Sequence, residues 1–566
     1  MKSHLRDLLA QAIDKTVRGG ELRTTELPPL LLEPPKQREF GDVASNVALV
    51  LARRLGKPPR AIAEAILRNL EDSERILARA EIAGPGFLNF SFSPKFCYQR
   101  LRALEEGKNG DLDLGKGQRV QVEFASVNPT GPLHVGHGRV AVFGDVLARL
   151  HAATGFQAER EYYINDAGKQ IENLGLSIYV RYREQHGESI QFPEHGYPGG
   201  YVRELATEAK RRWGERFLSE EKGAAVAALS RYGCEAMLGA IRDDLGAFGI
   251  TFDSYASERS LRATGEVDGT LELLRSRGLI YSREGAQWFK SQAYGDDKDR
   301  TVVKSDGELT YFASDIAYHR NKFARGFKKL INVWGADHHG YIRRLKAAVK
   351  ALDYDPELLH VVLVQMVQLT RGGEPVRMGK RSGEFVSLGE VLEEVGKDAA
   401  RFFFLMRKAD SHLDFDLELA KKESSENPVF YVQYAHARVA SIFEQARHAG
   451  VAVDDLKPAD VDCKRLALAE EIDLIKRVLQ YPEVLEESVR ELEPHRMVFY
   501  LLELAGEFHR YYNRVRVISD DLALTRARLL LVRSVQKIIR GGLALLGIEA
   551  PVKMASRGAE ALAAGQ

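Results

Sequence analysis

Cysteine is scarce in this chain of 566 residues, which contains three. Cys97, Cys234 and Cys463 form no CxxC pair and no cluster with histidine, so the sequence has no zinc-binding pattern. An odd and sparse set of cysteines does not suit a disulfide framework and is typical of a reducing compartment. We therefore expect a cytoplasmic protein without zinc.

Long hydrophobic runs and net charge are also missing. No stretch approaches the roughly 18 apolar residues that a membrane span needs. The first residues, MKSHLRDLLAQAIDK, form an amphipathic pattern interrupted by charges, unlike a signal peptide or an anchor. Lys and Arg total 81 against 80 Asp and Glu, which argues against an undirected nucleic-acid coat but permits a local basic face. We expect no association with a membrane.

The length and the changing residue periodicity predict about three domains. The first, residues 1–112, has the pattern of a small α/β unit and ends near a polar, Gly-rich linker. The second, residues 113–425, alternates strand and helix patterns, with a charged helical insertion at about 170–260. The third, residues 426–566, is helical almost throughout. The predicted fold class is α/β: a Rossmann-type parallel-sheet domain, a small N-terminal α/β domain and a C-terminal α-helical bundle.

Individual elements follow from the same patterns. The short β-branched run Arg119–Phe124, a loop, a helical pattern and a second strand form a βαβ unit, which indicates a parallel sheet. The predicted strands are Ile82–Phe92, Arg119–Phe124, Gln157–Ile164, Leu330–Trp334 and Val361–Leu369. The predicted helical segments are 4–18, 42–70, 139–153, 428–448, 464–478 and 493–516.

Two histidines stand in the loop ASVNPTGPLHVGHG that follows the first strand of this unit. A parallel sheet binds nucleotides at the carboxyl ends of its strands, and the next helix offers N–H groups and its positive dipole end to an anion. Gly136 leaves space for a close approach by ATP, and His134 and His137 can donate hydrogen bonds to phosphate oxygens. The sequence therefore predicts an ATP site with both histidines as catalytic residues.

The run His134–His137 resembles the His-x-Gly-His signature of class I aminoacyl-tRNA synthetases. The resemblance implies a second signature downstream, for which the candidate is RMGKR, residues 377–381. Arg377 and Gly379 depart from the usual Lys-Met-Ser-Lys, whereas Lys380 keeps the catalytic charge that reaches the leaving pyrophosphate. By the same resemblance, the ATP site would also include His338, His339, Met378, Lys380 and Arg381.

Two acidic residues, Glu123 and Asp315, suggest the amino acid that is activated. A guanidinium requires carboxylates, ideally in bidentate geometry. The segments around them, together with EYYINDAGKQ and WGADHHGYIRRLKAA, resemble arginyl-tRNA synthetases. That resemblance implies that both acids bind the guanidinium. The remaining arginine-binding residues would be Asn128 and Tyr311, at the backbone end of the substrate, and Asn165, Asp166 and Gln170 in the wall.

Aromatic residues near both ends of the chain are candidates for tRNA contact, because stacking of an unpaired base contributes about 1–3 kcal/mol. The segment Gly84–Phe90 resembles the family's extra domain, in which Phe87 and Asn89 would contact a base of the D-loop. The run NPVFYVQYAHARVASI resembles the start of its anticodon-binding domain. The candidates in this domain are Tyr431, Gln433, Tyr434, Arg438 and Tyr511.

The resemblance as a whole implies an arginine–tRNA ligase. Arginine would attack the α-phosphorus of ATP, and a ribose hydroxyl at the 3′ end of tRNA(Arg) would then take the arginyl group. It further implies a monomer, Mg²⁺ carried with ATP and pyrophosphate, and tRNA binding before activation. Three alternatives stay open: a lysine enzyme of the same class, a small-molecule nucleotidylyltransferase, and a tRNA-binding paralogue that has lost activation.

Overall fold

The computed structural model describes residues 1–23, 28–108, 112–376 and 386–554. Its N-terminal unit is an antiparallel sheet of order β1-β2-β4-β3 with helices packed against it. The elements of this unit are α1 Lys2–Arg18, β1 Leu32–Glu33, β2 Val43–Ser45, α2 Val47–Leu55, α3 Pro59–Arg68, β3 Leu77–Ala83, β4 Phe87–Phe92 and α4 Pro94–Glu105.

The single strand predicted at Ile82–Phe92 is the central part of a hairpin, since β3 and β4 pair antiparallel across the turn at Gly84–Gly86. Gly84 and Gly86 both have positive φ, and a Cβ on Gly86 would lie 2.9 Å from the carbonyl carbon of Pro59. Glycine is therefore required at this turn for both conformation and space.

The middle unit is built on a five-stranded sheet of order β12-β11-β5-β6-β7, in which all neighbouring strands are parallel. The prediction of a parallel sheet is confirmed. The elements in chain order are β5 Arg119–Phe124, α5 Val135–Ala152, β6 Gln157–Ile164, α6 Lys169–Glu184, α7 Gly200–Trp213, α8 Arg216–Ser219, α9 Lys222–Ala247, β7 Ser254–Ser257, α10 Glu258–Ala263, α11 Glu266–Ser276, β8 Ile280–Arg283, β9 Ala286–Phe289, β10 Arg300–Val303, α12 Tyr311–Ala324, β11 Lys329–Gly335, α13 Ile342–Ala351, β12 Leu359–Val364, β13 Val367–Arg371, β14 Glu374–Pro375, α14 Leu388–Val395, α15 Lys397–Phe404, β15 Leu413–Asp416 and α16 Leu417–Lys421.

Two predictions within this unit need correction. The predicted insertion at about 170–260 is helical from α6 to α9, but its last part contains β7, which is the edge strand of the parallel sheet. The predicted strand Val361–Leu369 is divided between β12, which pairs with β11, and β13, which pairs with β14 and β15 in a separate sheet. Both boundaries depend on which strand lies alongside, and a run of apolar residues does not encode its partner.

The C-terminal unit is an α-helical bundle whose buried Leu, Val and Ile side chains continue the core of the other units. Its helices are α17 Pro428–His448, α18 Ala469–Leu479, α19 Tyr481–Arg490, α20 His495–Arg514 and α21 Leu522–Leu545. Within the described part of the chain, no helix combines the length and apolarity needed to cross a membrane.

Candidate active site

The loop after β5 turns sharply because of an unusual backbone conformation. Ala125 has a φ of 52°, which is uncommon for a residue with a Cβ. Tyr162 holds the following residues, since its hydroxyl donates to the carbonyl of Val127 at 2.8 Å and lies 3.1 Å from the Val127 N–H. Such strain is kept where the surrounding structure fixes it, often at functional sites. Here the turn at Ala125 directs the loop across the carboxyl edge of the sheet.

His134 and His137 form the start of helix α5. Nδ1 of His134 accepts from the N–H of Gly136 at 3.1 Å, and Nδ1 of His137 lies 3.3 Å from the N–H of His134. The two imidazole rings stack with centroids 3.5 Å apart. A Cβ on Gly136 would approach the His134 ring to 3.1 Å. The histidines therefore stand at the positive end of the helix dipole, where an anion is favoured.

The chain that follows the second signature returns to the same place. Ser387 forms an antiparallel bridge with His134, and the N–H of Leu388 donates to the carbonyl of Leu133 at 2.8 Å. The second signature, with the predicted ATP-binding residues Met378, Lys380 and Arg381, lies outside the described residues.

A cavity of about 340 Å³ opens at the carboxyl edge of the sheet beside this loop. Among its lining residues are seven predicted site residues: Glu123, Asn128, Asn165, Gln170, Tyr311, Asp315 and His338. Gly136, His134, His137, His339 and Asp166 were also predicted as site residues but are not among its lining residues. All arginine-binding candidates except Asp166 are thus brought together in one cleft, and the signature histidines lie further along the loop that forms its edge.

Glu123 has a cationic partner inside the protein. Lys322, which is fully buried, contacts one carboxylate oxygen of Glu123 at 2.5 Å and the side-chain oxygen of Asn332 at 3.1 Å. The other oxygen of Glu123 accepts from Ser126 Oγ at 3.1 Å. The negative charge of Glu123 is therefore balanced before any substrate enters.

Asp315 differs from Glu123, because no Lys, Arg or His among the described residues forms an ion pair with it. Its carboxylate accepts a hydrogen bond from the hydroxyl of Tyr341. The pKa of Asp315 is raised to about 7, chiefly by burial and in smaller part by the charges of Glu123 and Glu258. The carboxyl group thus resembles a cation site that lacks its cation.

Amide side chains form the opposite wall. The Nδ2 group of Asn165 donates to Asn128 Oδ1 at 2.6 Å, and that of Asn128 donates to Gln170 Oε1 at 2.6 Å. Asp166 points elsewhere: its carboxylate accepts from Ser257 Oγ at 2.7 Å and from the N–H of Arg259 at 2.9 Å. Asp166 therefore secures the start of α10 and does not form the predicted wall.

Sequence reasoning missed Lys322, Tyr163 and Tyr341. All three have a polar end on an apolar or aromatic body. Tyr163 and Tyr341 lie within the segments EYYINDAGKQ and WGADHHGYIRRLKAA, and Lys322 lies seven residues after Asp315, so their place in these segments was the available signal. Tyr163 lines the cavity and stacks on Tyr318 with centroids 4.4 Å apart. Tyr341 ends the short 3₁₀ helix Ala336–Tyr341, which also holds the exposed side chains of His338 and His339.

The two predicted D-loop contacts differ in exposure. Phe87 is 40% exposed at the start of β4, as a base-stacking residue must be. Asn89 is 4% exposed and lies between β2 and β3 in the sheet. Its predicted contact with a tRNA base does not agree with this burial. Asn89 and Phe87 are two residues apart and share one face of the sheet, so Asn89 is covered because β4 lies between β2 and β3 at this position and not because it faces the opposite way.

The helical unit carries a half-buried cluster of aromatic and cationic side chains. The guanidinium of Arg438 lies 4.7 Å from the ring centre of Tyr434 and 4.5 Å from that of Tyr512. Tyr431, which is also half-buried, contacts the ring of His509 with centroids 4.6 Å apart.

Two other candidates in this unit have structural partners. Tyr511 is 1% exposed in the core of the bundle, so the prediction that it contacts tRNA needs correction. The amide of Gln433 donates to Asp398 Oδ2 at 3.0 Å and to the carbonyl of Glu549 at 2.9 Å, and thus joins α17 to its neighbours.

Three family models match the chain along its length. Residues 3–92 match the arginyl tRNA synthetase N terminal domain, and residues 432–554 match the DALR anticodon binding domain. Residues 101–197 and 252–412 match the catalytic domain of class I (R) tRNA synthetases. The unmatched residues between these two ranges fall in the helical insertion.

Known proteins resemble the chain over nearly its whole length. It is 51% identical over 561 residues to the arginine–tRNA ligase of Desulfosudis oleivorans and 50% identical over 558 residues to that of Syntrophotalea carbinolica. Each alignment covers 98% of this chain and 100% of the relative. The arginyl-tRNA synthetase of Thermus thermophilus superposes with a TM-score of 0.77 at 24% identity, over 97% of this chain and 100% of that chain, which shows a shared fold.

Proposed function

The chain belongs to the arginyl-tRNA synthetase family, and from that membership we propose how its residues divide the work of the reaction. It is a class I arginine–tRNA ligase, which activates arginine with ATP and transfers the arginyl group to tRNA(Arg). The assignment of individual residues to these two steps rests on the geometry of the cleft.

Asp315 is the principal ligand of the substrate guanidinium. The supporting observation is that this carboxyl lines the cleft without a cationic partner among the described residues, whereas Glu123 is already paired with Lys322. A guanidinium can donate two parallel N–H bonds to one carboxylate. Glu123, whose carboxylate also pairs with Lys322, supplies a further hydrogen-bond acceptor to the guanidinium. Four polar residues hold the rest of the substrate: Asn128, Asn165, Gln170 and Tyr311.

The phosphates of ATP bind at the start of α5. His134, His137 and Lys380 stabilise the charge that grows on the oxygens during displacement, and the chain needs no nucleophile of its own. This assignment is supported by the position of both histidines at the helix N-terminus and by the return of Ser387 to His134. We also assign His338, His339, Gly136, Met378 and Arg381 to nucleotide binding; the support for Met378 and Arg381 is the second signature in the sequence.

Magnesium would accompany the phosphates and help to neutralise their charge. Among the described residues, no three His, Cys, Asp or Glu side chains are grouped so that they could hold a metal ion. We therefore assign no protein ligand to Mg²⁺.

The three domains are assigned as residues 1–112 for the D-loop of tRNA, 113–425 for catalysis and 426–566 for the anticodon. Phe87 is the proposed contact in the first, and Tyr431, Tyr434 and Arg438 are the proposed contacts in the third. The support is the 40% exposure of Phe87 and, for the half-buried residues of the helical unit, the cation–π contact between Arg438 and Tyr434; aromatic and guanidinium planes suit a splayed base. We further propose a cytoplasmic monomer, in agreement with three unpaired, buried cysteines.

The deciding experiment is ATP–pyrophosphate exchange with each of the twenty amino acids, with and without tRNA. Arginine is expected to support exchange, and lysine is not. In addition, Lys380→Ala should lower turnover by about 10²–10³, as when one transition-state donor is removed. Exchange with lysine in place of arginine would contradict the pocket assignment, and wild-type exchange by Lys380→Ala would contradict the role of that lysine.

A further inference from the structure

Arg139 follows the second signature histidine by two residues and is fully buried. Its guanidinium donates to four main-chain carbonyls and, among the residues that the structure describes, to no side chain. The acceptors are Ser411 at 2.8 Å, Gln365 at 2.9 Å, Lys408 at 2.9 Å and Phe404 at 3.4 Å. A buried cation surrounded by carbonyls is unusual, because buried charges normally pair with an opposite charge.

The chemistry of this position requires arginine. A guanidinium has five N–H donors in a fixed plane, enough to serve carbonyls on several segments, whereas an ammonium has three. Within the described part of the chain, no carboxylate forms an ion pair with Arg139. Burial lowers its pKa to about 10, so the side chain stays charged at neutral pH.

Three of the carbonyls belong to the two segments that lead into the parallel strands β13 and β15, and the fourth, that of Phe404, is at the end of α15. Gln365 is two residues before β13, and Lys408 and Ser411 precede β15. Arg139 thus fastens this small sheet to the first turns of α5. From the other side, Leu388 donates to the carbonyl of Leu133, and a Cβ on Gly138 would lie 2.6 Å from the Leu388 side chain.

Described residues from two places along the chain are therefore attached at the signature helix. Gln365, before β13, is attached through Arg139, and Leu388 is attached through the carbonyl of Leu133 and through close packing at Gly138. A shift of α5 relative to β13 would change the distance between the histidines and the described residues of β13 and β14. Misplacement by about 1 Å can cost 10²-fold in rate.

We propose that Arg139 is a positioning residue for the ATP half of the reaction, which fixes the signature helix at a set distance from the β13 segment. It acts through its carbonyl acceptors and does not touch substrate. The proposal rests on the assignment of the ATP phosphates to the start of α5. Arg139 contacts neither Glu123 nor Asp315 within hydrogen-bond distance among the described residues, so arginine binding at these acids should be largely unaffected.

The test compares Arg139→Met and Arg139→Lys with the wild-type chain in ATP–pyrophosphate exchange, at a temperature where all are folded. Arg139→Met is expected to lower kcat/KM for ATP by between about tenfold and 100-fold, with KM for arginine changed less than about twofold. Arg139→Lys keeps the charge and loses the planar set of donors, so it should recover only part of the loss. Full recovery of kcat/KM for ATP by Arg139→Lys would show that the reaction depends on the positive charge and not on the planar set of donors, which would contradict the proposal.

Arg401 offers a matched control, because it is another fully buried arginine attached to the same helix. Its guanidinium contacts Asp145 of α5 and donates to the carbonyls of Leu546 at 2.7 Å and Phe248 at 3.1 Å, far from the signature end. Arg401→Met should lower the melting temperature at least as much as Arg139→Met, without a selective effect on ATP. Equal effects of both variants on ATP, or no effect of Arg139→Met, would overturn the proposal.

A separate arm tests the premise. His134→Asn keeps an oxygen acceptor at the helix N-cap but removes the imidazole. If His134→Asn leaves exchange unchanged, the ATP assignment itself is wrong. If His134→Asn impairs exchange while Arg139→Met leaves kcat/KM for ATP unchanged, the failure belongs to Arg139 alone.

Discussion

Arginine binding should depend on pH through Asp315. The pKa of this carboxyl is raised to about 7, chiefly by burial, with smaller increases from the charges of Glu123 and Glu258 and with decreases from the hydrogen bond of Tyr341 and the charge of Lys322. The guanidinium is always charged and binds the carboxylate form. Affinity is therefore full above the raised pKa, and it falls as the pH drops below about 7, where a proton must first be lost.

The size of the effect follows from one titrating group. At about pH 6 roughly one molecule in eleven carries the carboxylate, and at about pH 8 roughly ten in eleven do, so KM for arginine should fall about tenfold between them. His319, which also lines the cleft, does not add to this change, because burial holds the pKa of its imidazole well below the usual value. The change should appear in KM for arginine and in the proton released on binding.

The assay is exchange at saturating ATP and tRNA across this range, supported by calorimetric titration in two buffers of different ionisation enthalpy. Asp315→Asn should raise KM for arginine at every pH and remove its pH dependence. A flat wild-type profile would refute the reasoning, as would an Asp315→Asn variant that keeps the wild-type slope.

Three further predictions concern other parts of the molecule. His134→Asn should reduce turnover by about 10²–10³ while the melting temperature stays near wild type, because the cap on α5 is kept; unchanged turnover would remove the imidazole from the reaction. Lys322→Met leaves the Glu123 carboxylate buried without its cation and should lower the free energy of unfolding by about 3–5 kcal/mol in urea titration. Adding Glu123→Gln should recover most of that loss, and equal stability of single and double variants would count against the pair. Tyr434→Ala should raise KM for tRNA about tenfold through a lost stacking contact, whereas Tyr511→Phe, inside the bundle, should leave KM for tRNA unchanged. A larger increase in KM for Tyr511→Phe than for Tyr434→Ala would contradict the proposed tRNA contact.

The sequence determined the features that depend on neighbours along the chain. A short β-branched run predicted the strand Arg119–Phe124, which is β5 over the same residues. A helix was predicted over residues 139–153, whereas α5 is Val135–Ala152 and begins within the signature. The spacing of His134 and His137 predicted their place between a strand and a helix, and the structure has them in the first turn of α5. Such features are local because main-chain periodicity and helix caps involve residues within a few positions of one another.

Only the tertiary structure decided how the cleft is charged. Glu123 and Asp315 look alike in sequence, but Lys322 neutralises the first from 199 positions away and leaves the second without a cation among the described residues. Likewise, Asn89 and Tyr511 belong to promising motifs, yet packing against distant segments buries both side chains. Pairing and burial depend on which faces meet when the chain folds, and that contact is set by the whole core and by no single motif.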